Sequence, residues 1–346
     1  MGVALAFVSG PDPRGTTTHM VGELAAAEHV RPDRSVAVVG YGRLIEAIQP
    51  LERLDGVRLV TPEPATRPPI STDGGITLRT AQADTDCSVE AKSAIANAAV
   101  TFLAVDLASV GAIPTRVLAF AAQSDSTVMG ILALPSDGEP AGRSPHDALK
   151  RLRSAADATI PIRTGSRAPT IWGIVSAVSS VMATPGLVNL DLADIRAVLD
   201  GKPYAIIANG AAPSTAATAV DRTLQSTDTS IDAVDESLLY LVGGPSMTIA
   251  ESIDAVELLR AEMGGGSILW GTAIDPNKEG VTAHVIGGVP EATWLDADLD
   301  AITRLEAGGS CPKCGGQVAG FVFGENQTAA CEDCGFVGIA ARTGSS

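Results

Sequence analysis

The segment Pro185-Gly186-Leu187-Val188-Asn189-Leu190-Asp191-Leu192-Ala193-Asp194-Ile195-Arg196 divides the 346-residue sequence into two differently patterned halves. Pro-Gly closes a mostly apolar helix over 168–182, and two carboxylates three residues apart open the next helix, over 191–200. Ahead of the segment, short apolar runs at 3–9, 35–40, 57–60, 100–105, 127–135 and 158–162 alternate with helix-like stretches. Those helices are expected at 20–27, 44–54, 88–98, 115–122 and 146–156, and residues 61–85, rich in Pro, Thr and Gly, read as a long surface loop. Strands that are apolar throughout, separated by helices, predict a parallel sheet covered on both faces. Behind the segment, strands at 204–209, 237–243, 267–273 and 281–286 mix with helices at 215–224 and 248–262. That order predicts a smaller α+β domain.

The chain is 45% hydrophobic and 18% charged, which suits a globular protein of two domains plus an appendage. Aromatics are only 3%, so Ala, Val, Leu and Ile must build the core. Twenty-four basic residues, of which five are Lys, stand against 40 acidic ones, for a formal charge of −16. Such a field repels phosphate backbones and anionic lipid, so neither nucleic acid nor direct membrane binding is expected. The acidic, Lys-poor composition is the halophilic pattern, since salt screens self-repulsion. The absence of a basic leader and of any apolar run long enough to span a bilayer leads us to expect a cytoplasmic protein.

The tail reads Cys311-Pro-Lys-Cys314 and, sixteen residues later, Cys331-Glu-Asp-Cys334, each pair followed by glycine. Two such turns supply the four thiolates that tetrahedral Zn²⁺ prefers. With short strands expected at 317–323 and 335–341, the layout is a zinc ribbon holding structural Zn²⁺ on Cys311, Cys314, Cys331 and Cys334. A disulfide pair and an iron centre on the same ligands are the other readings. Lys313 and Arg342 face Glu325, Glu332 and Asp333 in this tail, so a protein contact suits it better than nucleic acid. Cys87 reads as an idle thiol.

Residues 185–288 resemble the second half of the FtsZ/tubulin superfamily core. The segment quoted first is similar to the loop that one filament subunit inserts into its neighbour's GTP site. Leu241-Val-Gly-Gly-Pro-Ser-Met-Thr248 resembles the strand and turn before a long helix, and Ile268-Leu-Trp-Gly-Thr-Ala-Ile-Asp-Pro276 resembles part of the closing hairpin. The resemblance implies a tubulin/FtsZ-like α/β domain over 1–165, a central helix over 166–185 and an α+β domain over 186–290. A linker over 291–309 and the ribbon over 310–346 complete the chain. It also implies that Asn189, Asp191 and Asp194 act on a neighbour's nucleotide; a plain helix cap is the other reading of the two aspartates.

The nucleotide chemistry of the first half departs from the family pattern. Where a Gly-rich first turn is expected, the chain has Gly10-Pro-Asp-Pro-Arg-Gly15-Thr16-Thr17, with a capped helix start as the simpler reading of Thr16 or Thr17. The phosphate-wrapping signature is replaced by Val105-Asp106-Leu-Ala-Ser-Val-Gly111-Ala-Ile-Pro114, with one glycine and a carboxylate at the triphosphate position. Gly10, Gly15, Thr16 and Gly111 are the remaining candidate nucleotide contacts, and Gly40-Tyr41-Gly42 reads as a simple turn. We therefore expect poor GTP binding in the usual mode. The expected function is that of a non-hydrolysing subunit or regulator of an active FtsZ-type filament, with FtsZ/tubulin-type subunits (its own or a paralogue's) as partners. A divergent self-assembling GTPase and a ribbon-mediated adaptor are the alternatives.

Overall fold

The structure, a computed structural model, describes residues 35–340 except 42–43, 55–56, 61–86, 108–112, 135–144, 164–166, 184–185, 228–230, 293–294, 296–298, 300–303, 306, 312–313, 324–325 and 336. The strand expected at 3–9, the helix at 20–27 and the loop at 61–85 lie outside the described residues. Five parallel strands form the first half: β1 (Val36–Tyr41), β2 (Val57–Val60), β3 (Val100–Asp106), β4 (Thr127–Ala133) and β5 (Ala158–Ile162). Between them run α1 (Ile45–Ile48), α2 (Cys87–Ala96), α3 (Thr115–Ala121) and α4 (Pro145–Arg153). The helix expected over 44–54 shrinks to the single turn of α1 followed by a 3-10 turn over Gln49–Arg53. Pro50 is the reason, because it offers no N–H and its ring crowds the preceding turn.

The long helix α5 (Arg167–Ala183) is followed by α6 (Leu192–Leu199), β6 (Tyr204–Ala212), α7 (Ala216–Gln225), β7 (Glu236–Gly243), α8 (Ile249–Glu262), β8 (Ser267–Ile274) and β9 (Val281–Val289). β6 and β7 both run antiparallel to β9, and β8 closes the edge parallel to β7. The two halves make one nine-stranded sheet in the order β2-β1-β3-β4-β5-β6-β9-β7-β8. They meet at a single register pair, Thr159 with Tyr204.

Strand alternation sorts the core into two layers. Ala37, Val39 and Tyr41 of β1 join Leu103 and Val105 of β3 beneath α2, α3 and α4, in the layer that continues under α7 and α8. Val36 and Val38 join Phe102, Ala104 and Met129 on the other face, against α5 and α6. All seven residues of β4 are buried, as a central parallel strand requires.

His284 lies at the middle of β9, paired with Asn209 on β6 and Tyr240 on β7, and is 4% exposed. Burial pushes its pKa down to about 4, and the charge of Lys278 adds to the effect. The folded state therefore resists a proton that the unfolded chain accepts near pH 6.5. Stability from this group is complete above about pH 6.5 and is lost as pH falls toward 4, by about 3 kcal/mol in all. His284→Met should flatten the acid limb of a melting-temperature profile in that window. An identical limb in both proteins would assign the acid loss to other groups.

Candidate functional site: a strand-reversal crevice, an acidic loop and a four-cysteine cluster

From β1 the chain steps outward to β2, then returns across β1 to β3. Strand order reverses between β1 and β3, and in open α/β sheets ligands bind outside the carboxyl ends of the strands at such a point. Gly40 and Tyr41 end β1 there, and Asp106 and Leu107 end the β3 side. A side chain at Gly40 would collide with the Ile48 side chain, so glycine is what lets α1 pack so closely on the strand. Two features of the described residues bear on anion binding there. α1 is one turn long and its N-terminus has no side-chain cap, so it offers little of a helix dipole. Asp106, only 1% exposed, places a carboxylate at the same end of the sheet.

Sequence reading passed over Gly40-Tyr41 as a turn, because strand order decides its importance and strand order is not written in local pattern. Gly10, Gly15, Thr16 and Gly111 lie outside the described residues.

At 17 residues, α5 is about 25 Å long and carries the chain from the carboxyl end of β5 to the opposite edge of the sheet. There residues 186–194 form a tightly held loop. The Leu187 N–H donates to the Thr272 carbonyl at 2.7 Å, and the Thr272 N–H donates back to Val188 at 3.1 Å. At Gly186 a Cβ would stand 2.6 Å from the Val188 carbonyl oxygen and 2.7 Å from that of Thr272, so no larger residue fits. The Asn189 side-chain oxygen accepts the Gly186 N–H at 3.1 Å.

Asp191 is the N-cap of α6, accepting the N–H groups of Ala193 at 2.7 Å and Asp194 at 3.3 Å, and Asp194 accepts the Asp191 N–H at 2.8 Å. This capping box is the reading that elementary helix chemistry favours for the pair. It occupies one oxygen of each carboxylate, and among the described residues the second oxygen of each has no partner. Asn189 and Asp191 are exposed and Asp194 is half-buried. Beside the loop a cavity of about 740 Å³ opens between α2, α3 and α6, lined by Phe120, Asp125, Met182, Asp191 and Arg196 among others. Arg196 spans its rim, donating to the Thr127 hydroxyl at 2.7 Å and the Asp125 carbonyl at 3.1 Å.

In the tail, β10 (Arg304–Leu305), β11 (Val318–Phe323), β12 (Asn326–Cys331) and β13 (Val337–Ala340) form a separate sheet in the order β10-β13-β12-β11. The sequence reading expected β11 and β13 but not β12, which carries Asn, Gln and Thr. The four cysteine sulfurs lie within 4.8 Å of one another. Cys311 and Cys334 Sγ are 3.7 Å apart, Cys314 and Cys331 Sγ 3.4 Å. A zinc–sulfur bond of about 2.3 Å makes the edge of a tetrahedron about 3.8 Å, whereas a disulfide needs about 2.05 Å. Gly315 and Gly335, at φ 76° and 66°, close the two turns, and the Gly316 N–H points at Cys314 Sγ at 3.4 Å. The donor set and its spacing fit Zn²⁺, with every protein ligand position filled.

No family profile matches the chain. The cell division protein FtsZ 1 of Halobacterium salinarum is 30% identical over 227 residues, covering 58% of this chain and 57% of the relative. FtsZ 1 of Archaeoglobus fulgidus is 28% identical over 220 residues, covering 56% and 59%. The chain thus spans under two thirds of the length of these curated relatives. Among solved structures, the CetZ2 of Haloferax volcanii in its GTPγS-bound protofilament superposes with a TM-score of 0.57 at 16% identity, over 78% of this chain and 97% of that one. An empty FtsZ dimer of M. jannaschii gives 0.57 at 21% identity, over 74% and 88%. The halophilic homologues accord with the acidic composition. Strand order, loop and sequence agree: the chain belongs to the FtsZ/tubulin superfamily as a divergent member.

Proposed function

We propose that this FtsZ/CetZ-like cytoskeletal homologue is a non-hydrolysing subunit or regulator of an active FtsZ-type filament in the cytoplasm. The observation that carries the reading is polarity. A carboxylate-bearing loop stands at one end of α5, and at the other stands a crevice with the buried Asp106 at its floor, which on this reading suits triphosphate poorly. Unlike ends favour head-to-tail contact, which is open-ended. A subunit whose loop end is intact and whose crevice is weak can dock on a neighbour's nucleotide, yet offers the next subunit little to bind. Its partners on this reading are tubulin-type subunits, its own or a paralogue's. Among the described residues, no helix is long and apolar enough to cross a membrane.

The test separates the capping role of Asp191 from a contact role. Asp191→Ala should lower stability by about 1 kcal/mol, whereas Asp191→Ser retains a capping oxygen and should stay within a few tenths. Both should abolish the chain's effect on GTP turnover and filament length of an active FtsZ-type partner, followed by co-sedimentation and phosphate release. If Asp191→Ser acts on the partner as the unaltered chain does, the carboxylate is only a cap. The second reading, a divergent self-assembling GTPase, draws on Gly40 at the strand-order reversal. Turnover by the purified chain alone would establish it.

A further inference from the structure

We propose that Cys314 is an oxidation site: a small hydroperoxide converts its sulfur to a sulfenic acid, Cys331 closes a disulfide on it, and the cluster gives up its metal. The inference rests on the Zn²⁺ assignment and not on the filament reading. It starts from an asymmetry among the four ligands. Cys311 and Cys331 are buried and Cys334 is half-buried, whereas Cys314 is exposed. Cysteine oxidation follows thiolate character and exposure, and a metal-held thiolate supplies the first of these at every position. Exposure therefore selects Cys314.

The backbone fixes both sulfurs. The Cys311 N–H donates to the Gly316 carbonyl at 2.7 Å and the Gly315 N–H to the Cys311 carbonyl at 2.8 Å, so the first turn is closed on itself. Cys331 is the last residue of β12, in register with Val318 of β11, and its carbonyl accepts the Gly335 N–H at 3.0 Å. Cys314 and Cys331 Sγ lie 3.4 Å apart, closer than the 3.7 Å between Cys311 and Cys334. An exposed sulfur beside a fixed, buried one is the arrangement of an attacked thiol and its resolving partner.

The chemistry balances with hydrogen peroxide as the oxidant. The Cys314 thiolate attacks one peroxide oxygen, the O–O bond breaks, and hydroxide leaves to take up a proton as water. Cys314 is then a sulfenic acid. The Cys331 thiolate attacks its sulfur, forming the S–S bond and expelling a second hydroxide, which also becomes water. Two thiolates, one peroxide and two protons thus give one disulfide and two waters, and two electrons pass from sulfur to oxygen. Cys311 and Cys334 remain, two donors where tetrahedral Zn²⁺ takes four, so the metal leaves.

The surroundings suit an uncharged oxidant. Glu332 and Asp333 are exposed next to Cys331, and a side chain at Gly316 would collide with the Asp333 carboxylate, which therefore lies against the first turn. Hydrogen peroxide is small and neutral, and it meets no repulsion from these carboxylates or from the formal −16 of the chain.

Hydrogen peroxide added to the zinc-loaded full chain reads the proposal directly. Zinc release is followed with a colorimetric chelator, and the bridge is mapped by mass spectrometry of the alkylated, digested protein. The unaltered chain should release its zinc and carry a Cys314–Cys331 bridge, and dithiothreitol with added zinc should reverse both. Cys314→His keeps a ligand, in a Cys₃His set that zinc also accepts, but removes the exposed sulfur, so release should slow by about tenfold or more. Cys334→His, altered at the half-buried ligand, should release as fast as the unaltered chain. If Cys314→His takes up no zinc, the bridge mapped in the unaltered chain decides alone. A bridge within either C-x-x-C pair, equal release from both histidine variants, or zinc retained throughout the treatment overturns the proposal. A freshly reduced chain that holds no zinc overturns instead the metal assignment, and the release falls with it.

Discussion

With Zn²⁺ held on the four cysteines, as their spacing fits, removal of the metal should unfold the cysteine-bearing tail and leave the nine-stranded sheet standing. The tail's core consists of Leu305, Cys311, Val318, Ala329 and Cys331, with Cys334 against it. Three of those six are the ligands themselves. A unit this small cannot stabilise itself by burial alone, and structural zinc supplies on the order of 10 kcal/mol of apparent folding free energy in such ribbons. Chelation, or Cys314→Ser, should therefore abolish the tail's β-structure and open it to proteolysis near Gly308. The melting transition of the body should not move. Zinc content unchanged in Cys314→Ser would contradict the assignment of all four ligands.

The metal should also be lost on acidification, and the direction follows from the thiols. The Gly316 N–H favours the Cys314 thiolate, but the hydrogen-bonding thiols of Cys331, Cys334 and Cys311 push it up to about 12. The Cys334 and Asp333 N–H groups hold Cys331 down to about 7. The metal-free cluster thus keeps protons at neutral pH that the metal must expel. Affinity rises with pH and falls below neutrality.

The second large effect concerns the crevice. Asp106→Asn should raise affinity for GTP by about ten- to a hundred-fold. A carboxylate about 6 Å from a phosphate charge opposes binding by about 3 kcal/mol at an effective dielectric of 20, and salt reduces this. The amide keeps the shape and removes the charge. Isothermal titration with GTP and Mg²⁺ in high salt measures both proteins. Silence from both would show that the short α1 and the sparse glycines, not the carboxylate, prevent binding. Micromolar affinity in the unaltered chain would overturn the weak-crevice reading and favour the GTPase.

What could be read in advance divides along the range of the interactions. The strands from β1 to β9 and most helices were legible because apolar runs and 3.6-residue spacing are local. The Asp191–Asp194 box and the four cysteines were legible for the same reason, their partners lying within a turn or at fixed spacing. Pro50 was visible as a residue, but its effect on α1 was missed. β12 escaped because Asn326, Gln327 and Thr328 gain their strand conformation from the register with Phe321, Val322 and Phe323, a non-local cause. The role of Gly40 was hidden for a like reason: only the pairing of β1 with β3 brings it to the crevice.

The join between β5 and β6 carries a mechanical consequence. Every other neighbouring pair in the large sheet shares at least four register positions, yet here Thr159 meets Tyr204 alone. Arg153 fastens this seam, its guanidinium 5.0 Å over the Tyr204 ring and 3.3 Å from the phenol oxygen. Any load that reaches one half through the loop and the other through the crevice crosses that line. The molecule should yield there as a flexure before either half deforms, bending about α5 as a spine.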